Sequence, residues 1–484
     1  MNPLEETVQI EVAVVGAGPA GLSAALTAAR AGAQVMLIDN YRQPGGQYYR
    51  QLAPEFRTTQ TASHQQEGRV LWQQVTAAGV ELSTETTVWG AFEDNRLALY
   101  GAGAPAYIQA RTIILATGAY ERVATFPGWT LPGVMTSGAA QILLKEQRIF
   151  PGRQILLAGT GPLQLVVAAR LVQTGAKVIA VLDGTPFMRR ALHRPLHHAL
   201  DLWGQWSRLA EGLSSWFTLR KAGVTFYAGW GVVAAHGQEE LTGVTIAQLD
   251  QEWRPIPGTS RTLTCDTLCC NYGFLPATEL ARLLGVRCEW RSAQGGFVPV
   301  RNSYMQSDVP GVFVVGDGAG IGGAGLALIE GQIAGLVATA EVNGNGSDWH
   351  KSAVVADGMK RLLPALHREQ RFQRLYGGLF TPGPGLDELA EPDTVICRCE
   401  GVTRAGIGEA VQQGADTPDA VKALIRCGMG NCQGRVCGPS VTAAVGQEVG
   451  QLCAEIGQFR VRPPVFPVPL SALKPAVSDL AESQ

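Results

Sequence analysis

The chain has 484 residues, too many for one small hydrophobic core, so two or three domains are expected. Its 39 basic and 41 acidic residues give a net charge of -2 and form no basic stripe, which excludes nucleic acid as an expected partner. The N-terminus carries Glu5 and Glu6 and no positive segment before its first apolar run, so no signal peptide is expected. Every long apolar stretch is interrupted by Gly, Pro or a charge, so no transmembrane segment is expected.

The first apolar run leads into a glycine turn. Residues 12–15 predict a buried strand, and the G-x-G-x-x-G turn at residues 16–21 follows directly. A helix over residues 22–31 and a strand over residues 34–38 come next, and Asp39 ends that strand. This order is typical of a βαβ unit that binds a dinucleotide, with Asp39 placed to accept a hydrogen bond from a ribose hydroxyl.

Each glycine of this turn has a separate physical role. Gly16 permits the tight turn, Gly18 lets the backbone approach a pyrophosphate, and Gly21 allows the helix to pack closely on the strand. Pro19 and Ala20 complete the turn, where the free amides of the helix point at the phosphates.

Three later segments predict further contacts with the same cofactor. The turn at residues 44–47 brings backbone against its far end, and the strand at 112–115 runs into a small-residue turn that something else must approach. The strand at 312–315 delivers a carboxylate to a ligand hydroxyl and is followed by a glycine-rich run and a helix over 326–338. The residues predicted to bind are Gly46, Gln47, Thr117, Gly118, Gly316 and Asp317.

The strand, turn, helix and strand pattern recurs at residues 154–183, but Gln164 replaces the third glycine. A long side chain at this position either pushes helix and strand apart or reaches into the nucleotide site. Two hypotheses stay open: a second nucleotide, NAD or ATP, bound through Gly159, Gly161 and Asp183, or a retained scaffold without a ligand. If a nicotinamide cofactor binds, Asp183 favours NAD over NADP.

Residues 186–221 predict an amphipathic helical region. His193 and His197 have the i, i+4 spacing of a metal-binding face, but no third ligand lies nearby, which favours an ordinary surface helix. Three further cysteines, at positions 265, 269 and 270, have irregular spacing and are expected to be small buried residues.

Most of the remaining cysteines lie near the C-terminus. The pair Cys397 and Cys399 forms C-x-C, and Cys427, Cys432 and Cys437 follow a helical stretch over about thirty residues. C-x-C combined with C-x4-C, among glycines that leave amides free for cluster sulfides, favours [2Fe–2S] over zinc, which prefers C-x2-4-C on both loops. Both 427/432 and 432/437 have the C-x4-C spacing, so spacing alone leaves the choice open.

The first glycine turn, Asp39, residues 117–118 and residues 316–317 resemble the glutathione-reductase-like flavoproteins over residues 8–345. The resemblance implies FAD, with its pyrophosphate on the first glycines, its adenosine ribose on Asp39 and its ribityl chain on Asp317. No cysteine precedes Cys265, so the dithiol mechanism of the disulfide reductases in that family is excluded.

The C-terminal cysteines carry a second resemblance. Cys397, Cys399, Cys432 and Cys437 are similar to the ligands of the bacterioferritin-associated-ferredoxin-type [2Fe–2S] domain, and this pattern ranks Cys437 above Cys427. Such a domain behind this flavoprotein body resembles the A (alpha) subunits of opine oxidases and of related amino-acid dehydrogenases that are built from several subunits. The hydrogen cyanide synthase flavoprotein subunit is a more distant match.

The fold class implied is α/β, with two Rossmann-like dinucleotide-binding domains, the second inserted in the first, and a small helical [2Fe–2S] domain. The prolines of residues 460–473 favour an extended strap laid on a partner or on the body. The predicted boundaries are 8–125 and 290–345 for the FAD domain, 126–289 for the second dinucleotide domain, 346–390 for a helical connector, 391–450 for the [2Fe–2S] domain and 451–484 for an extended tail.

The resemblance implies a subunit that relays electrons from an opine, hydroxyproline or similar secondary amine to an acceptor such as a quinone. Its implied partners are a catalytic flavoprotein (beta) subunit together with a small ferredoxin-like subunit, in the cytoplasm, with the acceptor as a link to the inner membrane. The catalytic residues are unknown, because no side chain here has the context of a general acid or base. The alternatives are a self-sufficient NAD(P)H-dependent reductase and a non-redox scaffold that binds a nucleotide such as ATP.

Overall fold

The structure is a computed structural model that describes residues 7–53, 63–185, 201–202, 204–344 and 352–473. Residues 186–200, with His193 and His197, lie outside the described residues. The later part of the same predicted helical region forms the helix Trp206–Lys221.

The elements are numbered in chain order. The strands are β1 (Thr7–Val15), β2 (Val35–Ile38), β3 (Glu81–Ser83), β4 (Thr87–Phe92), β5 (Arg96–Tyr100), β6 (Tyr107–Leu115), β7 (Ala119–Glu121), β8 (Val134–Thr136), β9 (Ile155–Gly159), β10 (Val178–Asp183), β11 (Thr225–Ala228), β12 (Trp230–Gly237), β13 (Leu241–Gln248), β14 (Arg261–Thr264), β15 (Thr267–Asn271), β16 (Phe274–Pro276), β17 (Cys288–Arg291), β18 (Gly296–Pro299), β19 (Val312–Val314), β20 (Val395–Cys397) and β21 (Val402–Thr403).

The α-helices are α1 (Pro19–Arg30), α2 (Ser63–Ala77), α3 (Ser137–Ile142), α4 (Pro162–Gln173), α5 (Trp206–Lys221), α6 (Glu279–Leu283), α7 (Gly323–Asn343), α8 (Ala353–Phe380), α9 (Arg404–Gln412), α10 (Pro418–Ile425), α11 (Gly438–Val449) and α12 (Cys453–Ile456). A π-helical turn covers Leu143–Gln147, and short 3-10 turns cover Ser292–Gln294, Gly316–Ala319, Pro384–Leu386 and Leu470–Leu473.

The chain divides into two compact units. The first contains Met1–Ala119, Leu275–Gln373 and Val461–Gln484, and the second contains Tyr120–Phe274 and Arg374–Arg460. The second unit is therefore inserted in the sequence of the first. This confirms the predicted α/β class with two dinucleotide-type sheets and a small helical domain.

The first unit is organised around a mixed sheet in the order β3-β2-β1-β6-β5-β4. Strand β1 is parallel to both β2 and β6, and the last residues of β6 are parallel to β19. The carboxyl ends of β1, β2, β6 and β19 therefore meet at one edge of the sheet, where ligands bind in open α/β sheets.

Helices α1 and α7 pack closely on the same unit because of small residues at their contact. A Cβ added to Gly331 would lie 2.2 Å from the carbonyl oxygen of Ala20, and one added to Gly335 would lie 2.5 Å from that of Ala24. Backbones this close leave no room for any larger side chain at these two positions.

Helix α7 has 21 residues, and its most apolar 18-residue window has a mean hydropathy of 1.4, so it is the one helix among the described residues that is long and apolar enough to cross a membrane. However, 56% of its most apolar window is buried inside the protein. Glu330, in the middle of the helix, is ion-paired with Arg301. Packing within the first unit therefore accounts for the apolar composition of α7.

The second unit contains a parallel sheet in the order β11-β10-β9-β15-β8 and a separate antiparallel sheet in the order β12-β13-β14. Its C-terminal part is the small helical domain, built from the β20-β21 hairpin and helices α9, α10 and α11. Thr403 and Thr417 cap α9 and α10, since each hydroxyl accepts a hydrogen bond from a first-turn amide at 3.2 Å.

The described part of the tail, residues 461–473, belongs to the first unit and packs on it. The amide of Val465 donates to the carbonyl of Trp89 at 2.8 Å, and the Val465 side chain is buried. Of the two positions expected for this strap, the structure therefore shows the one on the body of the chain.

We expect Gly331→Ala to lower the free energy of unfolding by about 1–3 kcal/mol, because the added methyl group forces α7 away from α1. Thermal and denaturant unfolding measure the change. The matched control is Gly212→Ala in α5, where an added Cβ meets no neighbouring atom and the better helix former leaves stability unchanged or raises it by up to about 1 kcal/mol. Equal losses in both variants would contradict the packing argument.

Candidate cofactor sites

The first glycine turn is tightly folded at the end of β1. A Cβ on Gly21 would lie 1.7 Å from the carbonyl oxygen of Gly16, so only glycine fits there. Helix α1 starts at Pro19, and its N-cap, Gly18, has no side chain to bond the first-turn amides. The first-turn amides that precede Leu22 therefore have no capping side chain and are left to bind a ligand at the turn.

Asp39 joins this turn to the end of β2. Its Oδ2 accepts from the amide of Ala17 at 2.5 Å, and its Oδ1 accepts from that of Tyr41 at 2.7 Å. Burial raises the pKa of Asp39, while these two amides and the charge of Arg50 lower it. Each carboxylate oxygen keeps a second lone pair, as the predicted ribose contact requires.

The turn at residues 44–47 packs against the first glycine turn. The amide of Gly45 donates to the carbonyl of Ala17 at 2.7 Å, and a Cβ on Gly46 would lie 2.8 Å from the Cα of Gly18. The Gln47 side chain is exposed and donates to the hydroxyl of Tyr41 at 3.4 Å. The structure thus places Gly46 at the predicted site and turns the Gln47 side chain toward the surface.

The turns after β6 and β19 lie side by side. A Cβ on Gly318 would lie 2.7 Å from the Thr117 hydroxyl, which donates to the carbonyl of Ala277 at 2.7 Å. The amide of Ala277 returns a hydrogen bond to the carbonyl of Gly118 at 3.0 Å. The predicted residues on these two turns are therefore brought together.

Asp317 is held by the start of the next helix. Its Oδ1 accepts from the amides of Gly322 and Gly323, both at 2.9 Å, while Oδ2 has no hydrogen bond within the described residues. Burial raises the pKa of Asp317, the two amides lower it, and nearby Glu330 raises it. Oδ2 is thus the atom left for a ligand hydroxyl, as expected for a ribityl chain.

The sequence patterns missed Glu330, the buried acid of α7. Its Oε1 accepts from Arg301 at 2.6 Å, and its Oε2 accepts from the amide of Gly316 at 2.8 Å. Arg301 also donates to the carbonyl of Val314 at 2.9 Å. Glu330 therefore fixes the turn that carries Asp317, and its one sequence signal is an acid in the middle of an apolar helix.

The second glycine turn is present but covered by another part of the same unit. A Cβ on Gly161 would lie 2.9 Å from the hydroxyl of Tyr376, and the Thr160 hydroxyl donates to the carbonyl of Phe380 at 3.1 Å. Gln164 is 1% exposed, and its amide has no hydrogen-bond partner among the described residues.

The other predicted residues of this turn lie at the ends of their strands. Gly159 ends β9, and a Cβ there would lie 1.8 Å from the carbonyl oxygen of Asn271. Asp183 ends β10, and its Oδ1 accepts from the amide of Thr185 at 2.8 Å. These contacts are those of a strand–turn–helix packed against its own unit.

Five of the six C-terminal cysteines form one group of thiols. The Sγ atoms of Cys397, Cys427 and Cys437 all lie within 4.8 Å of one another. The Sγ atoms of Cys399 and Cys432 are 4.0 Å apart, and Cys432 also hydrogen-bonds to Cys437. The fold therefore brings together the four predicted ligands and adds Cys427 beside them.

Hydrogen bonds favour the thiolate form of one member of this group, Cys432. Hydrogen bonds from Cys437 and from the amides of Val436 and Gly434 lower the pKa of Cys432 to about 4, against the opposing effect of burial. A Cβ on Gly430 would lie 2.2 Å from the Cβ of Cys399, so glycine is needed for this approach. A compact set of sulfur ligands, with backbone amides that donate hydrogen bonds to sulfur, suits an iron–sulfur cluster.

Three cysteines earlier in the sequence lie outside this group. Cys265, Cys269 and Cys270 are buried, which confirms the prediction from their spacing. Burial raises the pKa of Cys265 to about 11 and that of Cys269 to about 12. These thiols therefore stay protonated near neutral pH, as inert packing residues do.

We expect Glu330→Gln to destabilise the first unit by about 3 kcal/mol and to weaken flavin retention, because Arg301 loses its buried counter-charge. Thermal unfolding and flavin absorbance after gel filtration measure the two effects. The matched control, Glu341→Gln, lies on the same helix but pairs with Gln306 rather than a cation, so its flavin content should not change. Normal stability and flavin content in Glu330→Gln would refute this role.

Comparisons with known proteins agree with both sites. Residues 10–344 match the pyridine nucleotide-disulphide oxidoreductase family, and residues 395–446 match the BFD-like [2Fe-2S] binding domain. The first match indicates that the chain binds FAD, and the second indicates a [2Fe–2S] cluster in the domain that holds the cysteine group.

Individual relatives extend over almost the whole chain. The opine oxidase A subunit of Agrobacterium tumefaciens is 32% identical over 96% of this chain and 91% of its own length. The HcnB subunit of hydrogen cyanide synthase from Pseudomonas aeruginosa is 34% identical over 95% of this chain and 97% of its own length.

A solved structure has the same fold. The L-proline dehydrogenase from P. horikoshii superposes with a TM-score of 0.66 at 19% identity, covering 96% of this chain and 80% of that chain. The chain belongs to the pyridine nucleotide-disulphide oxidoreductase family, in the group that includes the opine oxidase A subunit, HcnB and their relatives, and is a flavin oxidoreductase subunit with a [2Fe–2S] domain.

Proposed function

We propose that this chain is the electron-relay subunit of a dehydrogenase for amines or amino acids that is built from several subunits. FAD accepts electrons in pairs and a [2Fe–2S] cluster carries them singly, so the two cofactors together convert a two-electron oxidation into one-electron steps. The chain's own residues bind these groups: the glycine turn, Asp39 and Asp317 for the flavin, and Cys397, Cys399, Cys432 and Cys437 for the cluster.

The covered second glycine turn is the observation that carries this proposal. In a nicotinamide-dependent reductase, the turn must receive the cofactor's pyrophosphate. Here the hydroxyl of Tyr376 lies against Gly161, and the carbonyl of Phe380 accepts a hydrogen bond from the Thr160 hydroxyl. This favours electrons arriving from another subunit over entry from NAD(P)H, and it equally disfavours ATP at this turn.

The second unit has a different role in this proposal, because its residues 120–129 support the [2Fe–2S] domain. The indole of Trp129 donates to the carbonyl of Val395 at 2.6 Å, and Arg435 donates to the hydroxyl of Tyr120 at 2.9 Å. Such contacts hold the cysteine loops against residues 120–129 of the same unit. Rigid mounting suits a cluster that must exchange electrons at a fixed distance.

The cysteine group also has an open side. Cys399 is exposed and Cys432 is half-buried, whereas Cys397, Cys427 and Cys437 are buried. Electrons therefore leave or enter most readily past Cys399, and we place the acceptor, a quinone or another carrier, at this edge.

The relatives indicate the substrate class. Opines and L-proline are both α-amino acids with a secondary amine, and hydroxyproline shares this chemistry. We infer that such an amine is oxidised to an imine at a separate flavoprotein (beta) subunit, and that a small ferredoxin-like subunit is a further partner. In this scheme the complex is cytoplasmic and meets the inner membrane through its acceptor.

An anaerobic absorption and EPR titration tests the relay. We expect no bleaching of the flavin and no reduced [2Fe–2S] signal when NADH is added to the isolated chain, because the second glycine turn is covered. We expect both changes with a secondary amino acid once the beta subunit is present. Dithionite serves as the control that both cofactors can be reduced.

Two results would contradict the proposal. Reduction of the isolated chain by NADH would make it a reductase in its own right. Purification without flavin or iron under gentle conditions, while the chain stays folded, would favour the scaffold alternative.

A further inference from the structure

The cysteine group contains one thiol more than a [2Fe–2S] cluster requires. Four thiolates serve the two irons of such a cluster. The structure supplies five, and Cys427, the fifth, is fully buried in the core of the small helical domain. A buried thiol with Sγ contacts to two predicted ligands needs an explanation beyond packing.

The distances divide the thiols between two iron positions. Cys399 and Cys432, 4.0 Å apart on the open side, suit the outer iron. The inner iron then draws two ligands from Cys397, Cys427 and Cys437, whose sulfurs all lie within 4.8 Å of one another. The inner position therefore has three candidate ligands, whereas the outer position has two.

Helix position ranks two of these candidates. Cys437 is the N-cap of α11, where the helix dipole favours a thiolate. Cys427 follows the C-terminal end of α10, where the dipole disfavours it. The position at the start of a helix therefore favours Cys437 over Cys427 as the usual ligand.

We propose that Cys427 is a reserve ligand of the inner iron, which binds when Cys437 cannot. In that exchange the Cys427 thiol releases its proton to water and its sulfur forms the Fe–S bond that Cys437 no longer supplies. No electron is transferred, and the charge of the cluster with its four thiolates is unchanged. The proposal rests on the [2Fe–2S] ligands assigned above.

Alanine variants of the full chain test this exchange, since alanine cannot ligate iron. Iron content, visible absorption and EPR of the dithionite-reduced protein are the readouts, and flavin content reports that the first unit is intact. We expect Cys427→Ala to match the wild type and Cys437→Ala to keep most of its iron with shifted EPR g values. The double variant Cys427→Ala/Cys437→Ala should lose the cluster, as should Cys399→Ala and Cys432→Ala.

The matched control is Cys453→Ala, which removes a partly buried thiol of the same unit outside this group and should leave iron and EPR unchanged. Cys437→Ser, closer in volume, guards against a folding defect of the alanine variant. Loss of all iron in both Cys437 variants, with flavin retained, would overturn the reserve role, as would loss of the cluster in Cys427→Ala alone. Absence of iron from the wild type would instead undo the cluster assignment itself.

Discussion

The buried carboxylate of Glu330 is the constraint on which the cofactor site of the first unit depends. A charge inside an apolar helix is tolerated only if its surroundings neutralise and hydrogen-bond it. Arg301 supplies the charge and the amide of Gly316 supplies a second hydrogen bond. Since Gly316 immediately precedes Asp317, the hydrogen bond to the buried acid also fixes the carboxylate that is predicted to bind the cofactor. The same contacts of Glu330 therefore stabilise the helix and set the geometry of the site.

Close backbone approach is the second requirement of this unit. Small residues let α1 and α7 touch, and they let the turns after β1, β6 and β19 meet at one edge of the sheet. A cofactor pyrophosphate needs backbone amides without intervening side chains, so the residues that allow tight packing also leave the ligand site open. Close backbone packing therefore requires glycine at positions 21 and 331, whether or not a ligand is bound.

The second unit uses a similar strand–turn–helix for a different purpose. Its glycine turn is covered by Tyr376 and Phe380, and the buried Gln164 replaces the glycine that would bring helix and strand together. In the same unit, the indole of Trp129 donates a hydrogen bond to the carbonyl of Val395 in the cysteine domain. This combination supports our proposal that the second nucleotide-binding fold serves as a scaffold and not as a nucleotide site.

Local pattern was enough to predict the α/β class, the two βαβ units and the cysteine spacing, because strand, glycine turn and C-x-C signals involve residues close in sequence. The individual roles of Asp39, Asp317 and the four cysteines stay predictions. Tertiary structure alone decided the rest: Tyr376 lies on Gly161, Arg301 pairs with Glu330, Val465 pairs with Trp89, and Cys427 joins the thiols. Each of these contacts joins segments distant in sequence or turns a side chain toward a shared centre, and neither spacing nor periodicity encodes which distant surfaces will meet when the core closes.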